Sequence, residues 1–193
     1  STYIGGSANE TPHSIVSDAQ GNMYVLGVTS SANFPTSALA YQNSFNGGTT
    51  VSPDNLKFNG SDIYVLELNP TGTTLMASTY LGGTGNDGMS FGTLQYNYGD
   101  NFRGEIIADQ NFVYFSSVTQ SADFPTVNPS QAAISGSQDA VVVKMTKNLA
   151  TLVWSTYYGG SSDETGNGIA LSGNGSLYVA GGTNSTNLNL GSG

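Results

Sequence analysis

The chain has 193 residues, and its four Lys and Arg stand against thirteen Asp and Glu, which gives a formal net charge of −9. Nucleic acid and anionic lipid are therefore poor partners, because phosphate binding draws on clustered basic side chains. The absence of cysteine excludes disulfides and zinc–sulfur sites, and no apolar run approaches the roughly 20 residues of a membrane helix.

A six-residue sequence, Ser-Thr-Tyr-x-Gly-Gly, appears three times, at residues 1–6, 78–83 and 155–160. Both steps between the copies are 77 residues. Four residues after the second glycine, each copy carries an acid: Glu10, Asp87 and Glu164. Self-similarity at a fixed period is typical of repeat architectures, so we divide the chain into units 1–77, 78–154 and a partial unit 155–193.

Unit 1 contains four predicted strands. The first two span residues 13–18 and 23–29, and the others span 62–68 and 74–81. These runs are rich in β-forming side chains and are bounded by Gly, Asn and Pro, which is typical of hairpins. A Ser-Ala-Asn-Phe-Pro-Thr connector at residues 31–36 follows the second strand, where the Asn-Phe-Pro sequence favours a turn with a buried aromatic anchor.

The later units repeat this order. Unit 2 has predicted strands at residues 106–109, 112–119, 139–145 and 151–158, with its connector at 121–126. Unit 3 shows two strands, at residues 168–171 and 176–181, and a degraded connector at 185–189. No helical pattern appears anywhere in the chain.

Four short antiparallel strands per repeat, with Gly-rich joints, indicate the blades of a β-propeller. The coils of a parallel β-helix are shorter and less hairpin-like, and tandem sandwiches need about seven strands each. We therefore predict an all-β fold, a β-propeller segment of four-stranded antiparallel blades. About two and a half blades are present and a propeller needs roughly four to eight, so we expect the rest in a longer polypeptide.

The motifs also resemble the SBBP (seven-bladed β-propeller) repeat family of bacterial and archaeal surface and secreted proteins. The matching stretches are residues 123–126, 139–145, 154–160, 168–171 and 178–181. The resemblance implies a propeller, an extracellular or cell-surface location and an adhesin-like role. Two features depart from the family pattern, namely the long inserts and the loss of Phe-Pro in the third connector.

Two inserts interrupt the repeats. Residues 43–61 are predicted to lie in the link between the second and third strands of unit 1, and residues 88–103 in the link between two blades. Both links emerge on the same face of a propeller, and long loops on a rigid scaffold often carry function. The candidate contact residues are Tyr96, Tyr98, Phe102 and Arg103. Such side chains suit sugar rings or peptide surfaces, although neutral loop drift would also explain the inserts.

The recurrent acids Glu10, Asp87 and Glu164 are weak candidates for calcium, which prefers hard oxygen ligands. One acid per blade is sparse for a tight site, and no Asp-x-Asp-x-Asp-Gly sequence occurs. We expect these acids to accept backbone hydrogen bonds in the loops between blades, and we predict no cofactor. Asp62 and Asp139 stand at the start of equivalent strands and are predicted to fix turns in the same way.

Catalytic motifs are weak. His13 is the only histidine, and the chain has neither a Gly-x-Ser-x-Gly nucleophile motif nor a phosphate-binding loop with its lysine. A glycosidase needs two carboxylates about 5–10 Å apart, for which Asp87, Asp100 and Glu105 are the candidates near one insert. They are predicted to be solvated loop acids rather than a catalytic pair.

These observations favour a non-enzymatic extracellular module that binds or scaffolds at the cell surface. The predicted partners are a surface glycan or protein and the other blades or domains of the same longer chain. The alternative is an accessory or catalytic propeller of an enzyme that processes polysaccharide or peptide. A purely structural stalk is a third possibility.

Overall fold

The computed structural model describes residues 1–91, 94 and 101–188. Within this part the chain forms twelve strands and one short 3-10 turn, Pro53–Asn55, and contains no α-helix. None of its helical segments is long and apolar enough to span a membrane. The all-β prediction is confirmed.

Two complete blades are present. Blade 1 is an antiparallel sheet of β1 (Glu10–Ser17), β2 (Met23–Thr29), β5 (Asp62–Leu68) and β6 (Leu75–Leu81). Blade 2 contains β7 (Glu105–Ala108), β8 (Phe112–Thr119), β9 (Asp139–Thr146) and β10 (Leu152–Tyr158). In each blade the strands pair in chain order, from innermost to outermost, as four-stranded blades require.

Two smaller sheets complete the described structure. The third unit contributes the hairpin of β11 (Glu164–Leu171) and β12 (Leu177–Thr183). A two-residue hairpin, β3 (Thr50–Val51) with β4 (Phe58–Asn59), lies inside the first insert and was not predicted. Residues 1–6 form no strand, and Tyr3 is fully exposed.

The main core lies between the two blades. Side chains of a strand point alternately to opposite faces, and β5 follows this rule. Ile63 and Val65 face the cluster shared with blade 2, whereas Tyr64 and Leu66 pack on the other side. All seven residues of β5 are buried, which explains its nearly continuous apolar sequence.

The innermost strands contain a β-bulge at one position. The register shifts between Pro12 and Ser14 in β1 and between Gly166 and Gly168 in β11. Both strands also start earlier than predicted, at Glu10 and Glu164, so these acids lie at the start of a strand and not in a loop.

The second insert is in a different place from the one predicted. Asp87 bridges Thr119, just as Glu10 pairs with Thr29 in blade 1, so the innermost strand of blade 2 starts before the insert. The ladder resumes with Glu105 opposite Ser116. Residues 88–103 therefore interrupt the innermost strand and do not lie in the link between blades. A bulge already leaves residues unpaired, which explains why a long insertion is tolerated at this point.

Candidate functional site

The acid of each repeat closes the loop between two blades. At the second joint, the Asp87 carboxylate accepts hydrogen bonds from the Gly83 N–H at 2.9 Å, from the Ser121 hydroxyl at 2.8 Å and from the Thr119 hydroxyl. The Ser121 hydroxyl oxygen in turn accepts a bond from the Gly85 N–H at 2.9 Å. The carboxylate therefore ties the Gly-Gly loop to the end of β8.

The other two joints repeat this arrangement. Glu10 accepts bonds from the Gly6 N–H at 3.2 Å and the Thr29 hydroxyl at 2.8 Å. Glu164 accepts a bond at 2.7 Å from an N–H and one at 2.6 Å from a hydroxyl; the donors are Gly160 and Thr183. The equal spacing of the three acids in the sequence therefore corresponds to three equivalent hydrogen-bond networks.

The paired glycines allow the loop to approach these side chains. A Cβ atom on Gly82 would lie 2.7 Å from carboxylate oxygens of both Asp62 and Asp87. A Cβ atom on Gly83 would lie 2.3 Å from Asp123 Oδ1. Real Cβ contacts are not this short, so any side chain here would push the loop away from the acids.

A second network, which the sequence reasoning missed, joins a glutamine to the acid at the start of the third strand. Asp62 accepts bonds from the Asn46 and Gly47 N–H groups at 2.8 and 2.9 Å, and from the Gln42 amide at 3.3 Å. The Gln42 carbonyl oxygen accepts a bond from the Gly82 N–H at 3.1 Å.

Blade 2 repeats this second network with Gln131, Asp139 and Gly159. In both units a glutamine stands five residues before a glycine, at Gln42 and Gln131, and this repeated spacing could have indicated the network.

Burial changes the acidity of these carboxyl groups. It raises the pKa of Asp62 to about 7, outweighing the donors that favour the charged form, and the nearby Asp123 charge adds to the rise. Burial also raises the pKa of Asp87 well above its usual value, and raises that of Asp139. Burial therefore favours the neutral form of these three carboxyl groups.

No group of three or more His, Cys, Asp or Glu side chains in the described residues could hold a metal ion. The three calcium candidates lie at separate joints, and hydrogen-bond donors of the protein already contact their oxygens. The expectation of no cofactor, with calcium as the weak alternative, stays a prediction.

The two inserts pack against each other into one layer, which we call the insert layer (residues 43–61 together with the described part of 88–103). Phe58 of the first insert and Met89 of the second are fully buried in one cluster with Val28 of blade 1. Val51, Phe91 and Phe102 pack around that cluster. The prediction that both inserts share one face is consistent with this contact.

Side chains of the blades hold the insert layer in place. The Gln138 side-chain oxygen accepts a bond from the Phe91 N–H at 2.7 Å, and its amide donates to the Ser90 hydroxyl at 3.2 Å. On the first insert, the Asn59 N–H donates to the Ser30 hydroxyl at 2.7 Å.

A sequence model of the SBBP family, described as a beta-propeller repeat, matches residues 1–35 and 153–189. In these two stretches the chain is similar to SBBP β-propeller repeats. The two matched stretches contain the Gly-Gly joint and the two inner strands of units 1 and 3, with residues 31–35 of the first connector and the whole of the third. Neither insert lies in a matched stretch, so the insert layer is outside the matched SBBP sequence. No curated protein matches the chain significantly.

The predicted contact residues lie in the second insert. Tyr96 and Tyr98 are outside the described residues. Phe102 is half-buried, with its ring centroid 5.7 Å from that of Phe58 and 6.1 Å from that of His13, whereas Arg103 is exposed. Phe102 therefore contributes to packing within the layer. A role of these four residues in ligand contact stays a prediction.

Of the candidates for catalysis, the structure describes His13, Asp87 and Glu105. Asp87 is fully buried and Glu105 lies in strand β7, so the prediction that these two are solvated loop acids is wrong. Both ring nitrogens of His13 are buried and have no hydrogen-bond partner among the described residues, and burial lowers the pKa of His13 to about 4. The imidazole is therefore neutral near pH 7. Glu105 accepts a hydrogen bond from the Ile169 N–H at 2.8 Å, and Asp87 has the partners given above. Asp100 is outside the described residues.

Proposed function

We propose that this chain is part of a non-enzymatic extracellular β-propeller module that binds a surface glycan or protein, or scaffolds at the cell surface. The observation that carries the proposal is the insert layer. Two long inserts from different repeats share one apolar cluster and are anchored by hydrogen bonds to the blades. Loops that a rigid scaffold positions in this way are typical recognition surfaces.

The blades suit the role of such a scaffold. Their joints are tied by repeated hydrogen bonds, and blades 1 and 2 share the main core. The net charge of −9 favours a neutral or basic ligand over an anionic one. We further propose that other blades or domains of the same longer chain are partners, and that the module is secreted or displayed at the cell surface.

The test removes one insert while keeping the blade. In β11 the pair Gly166 and Asn167 occupies the position where the second insert interrupts blade 2. A variant with Gly-Asn in place of residues 89–104 should therefore restore a continuous innermost strand. We expect the full chain to bind one or more ligands in a glycan array and a surface-protein screen, and this variant to lose that binding.

The control is Asn174→Ala in the exposed turn between β11 and β12, which should bind like the wild type. Undiminished binding by the insert replacement would contradict the proposal. The competing hypothesis, an accessory or catalytic propeller of a polysaccharide- or peptide-processing enzyme, predicts turnover that disappears when acids near the inserts are replaced. Turnover assays on polysaccharides and peptides distinguish this enzyme hypothesis from the non-enzymatic binding module.

A further inference from the structure

A cleft of about 310 Å³ opens in the insert layer where the two inserts meet. It is lined by Val51, Ser52, Pro53, Phe91 and Asn101. Small-molecule sites range over roughly 300–1,000 Å³, so this volume suits one ring-sized group rather than a long segment of polymer.

The backbone holds the walls of this cleft in place. Val51 pairs with Phe58 in the β3–β4 hairpin, and Pro53 begins the 3-10 turn. On the opposite wall, the Phe91 N–H donates to Gln138, and the Asn101 carbonyl accepts a bond from the Ser90 N–H at 3.0 Å. Backbone hydrogen bonds therefore position the lining residues, and the side-chain polar atoms of Ser52 and Asn101 are not needed for this.

Two polar groups of the lining remain available. Asn101 Oδ1 is buried and accepts no hydrogen bond from the described residues. Ser52 precedes the 3-10 turn, and its side chain makes no capping bond. A buried acceptor without a partner is unfavourable, and a ligand that donates a hydrogen bond would relieve this cost. None of the described residues that line the cleft carries a charged side chain.

We propose that this cleft binds one residue of a neutral saccharide. An apolar face of the sugar packs on the Phe91 ring, one sugar hydroxyl donates to Asn101 Oδ1, and another exchanges a hydrogen bond with the Ser52 hydroxyl. The inference rests on the proposed binding function and narrows its ligand from a glycan or protein to a neutral glycan.

Other ligand classes fit the cleft less well. An anionic ligand would meet no basic side chain among the described lining residues, and the net charge of −9 would repel it. A peptide that adds a strand needs a row of unpaired backbone groups. The nearest strand, β3, has only two residues and already pairs with β4.

The experiment titrates the full chain with methyl glycosides of neutral hexoses and N-acetylhexosamines. Saturation-transfer NMR detects weak binding, and calorimetry gives the dissociation constant. We expect Asn101→Ala and Phe91→Leu each to weaken binding at least about tenfold, because each removes one of the two main contacts. Ser52→Ala should weaken it about threefold.

Asn43→Ala, on an exposed residue of the first insert, is the matched control and should bind within about twofold of the wild type. Ser52 is also exposed, so its variant tests the cleft even if the Phe91 and Asn101 variants fold poorly. Urea unfolding of each variant identifies such failures.

Several outcomes would overturn the inference. The first is that no neutral glycoside binds. The second is that anionic sugars or peptides bind more strongly than the neutral glycosides in competition. The third is that the cleft variants leave the binding of neutral glycosides unchanged. If replacement of residues 89–104 abolishes binding of another ligand while Asn101→Ala retains it, the cleft is not the site but the proposed function stands. If the replacement retains all binding, the proposed function fails as well.

Discussion

The tyrosine of the repeated Ser-Thr-Tyr-x-Gly-Gly sequence anchors the connector of the same blade. The Tyr157 hydroxyl accepts a hydrogen bond from the Phe124 N–H at 2.9 Å and donates to the Ser121 carbonyl at 2.7 Å. Tyr80 makes the same two bonds at the same distances in blade 1. Both tyrosines are almost completely buried, whereas Tyr3 is fully exposed.

The burial of Tyr157 and the exposure of Tyr3 allow a mutational prediction and its control at equivalent positions of the repeat. We expect Tyr157→Phe to lower the free energy of unfolding by about 1–3 kcal/mol, because the buried Phe124 N–H and Ser121 carbonyl lose a partner. Tyr3→Phe changes the same position of the repeat on an exposed side chain and should have no measurable effect. Urea unfolding of both variants checks the prediction, and equal stability of the two would contradict it.

The raised pKa of Asp62 predicts how the free energy of unfolding depends on pH. Its folded-state pKa is raised to about 7, so its contribution to stability is complete below pH 3.8 and is lost as the pH rises through 7. We expect the free energy of unfolding to fall by about 1 kcal/mol between pH 6.5 and 8 because of this group. Asp87 and Asp139, whose pKa values are also raised, act in the same direction.

The lowered pKa values of three other acids and of His13 have little influence in this window. Asp18, Asp109 and Asp123 have lowered pKa values and stay ionised throughout. The pKa of His13 is lowered to about 4, so this residue destabilises the folded state only as the pH falls below 6.5. Unfolding of wild type and Asp62→Asn at several pH values is the measurement. A stability that rises with pH in the wild type, or an unchanged slope in the variant, would show the assignment to be wrong.

At the scale of the element, one side chain next to a neighbouring strand holds the start of the second insert. Gln138 immediately precedes β9 and bonds to both Ser90 and Phe91, the residues at which the insert leaves the innermost strand. It also donates to the Glu164 carbonyl at 3.2 Å, which links the insert to the third unit.

We predict that Gln138→Ala frees the start of the second insert without unfolding the blades. Hydrogen exchange at the Phe91 amide should accelerate at least about tenfold, because local opening no longer breaks a buried hydrogen bond. Gln131→Ala is the matched control: it removes the acceptor of the Gly159 N–H and should accelerate exchange there while leaving Phe91 unchanged. Acceleration across the whole chain would indicate global destabilisation and contradict the prediction.

At the scale of the whole molecule, blades 1 and 2 are joined through their core and through their turns. Lys147, in the turn between β9 and β10, forms an ion pair with Asp18 in the turn between β1 and β2 at 2.5 Å. The Tyr41 N–H donates to the Leu149 carbonyl at 3.0 Å. These contacts make the two blades one packed unit despite the net charge of −9.

The same charge predicts the response to ions. Monovalent salt should raise the melting temperature by a few degrees, because screening weakens the repulsion between acids. Calcium at equal ionic strength should add nothing further, since the joint acids accept hydrogen bonds from the protein. Thermal unfolding in sodium chloride, calcium chloride and a chelator checks this. Calcium-specific stabilisation reversed by the chelator would favour the metal alternative at Glu10, Asp87 and Glu164.

The sequence by itself determined the fold class and the acids that close the joints. This was possible because a repeat period assigns equivalent structural positions to residues far apart in the chain, such as Asp87 and Glu164. The β5 prediction matched the observed bounds Asp62–Leu68, because its ends are marked by an acid and an Asn-Pro turn.

Only the tertiary structure decided where the second insert lies and what the inserts form together. The pairing of Asp87 with Thr119, across 32 residues, shows that the insert interrupts a strand, and no local pattern reports such a pairing. The cluster of Phe58 and Met89, and the cleft beside it, join segments from two repeats. Contacts between inserts have no period in the sequence, because each insert occurs only once.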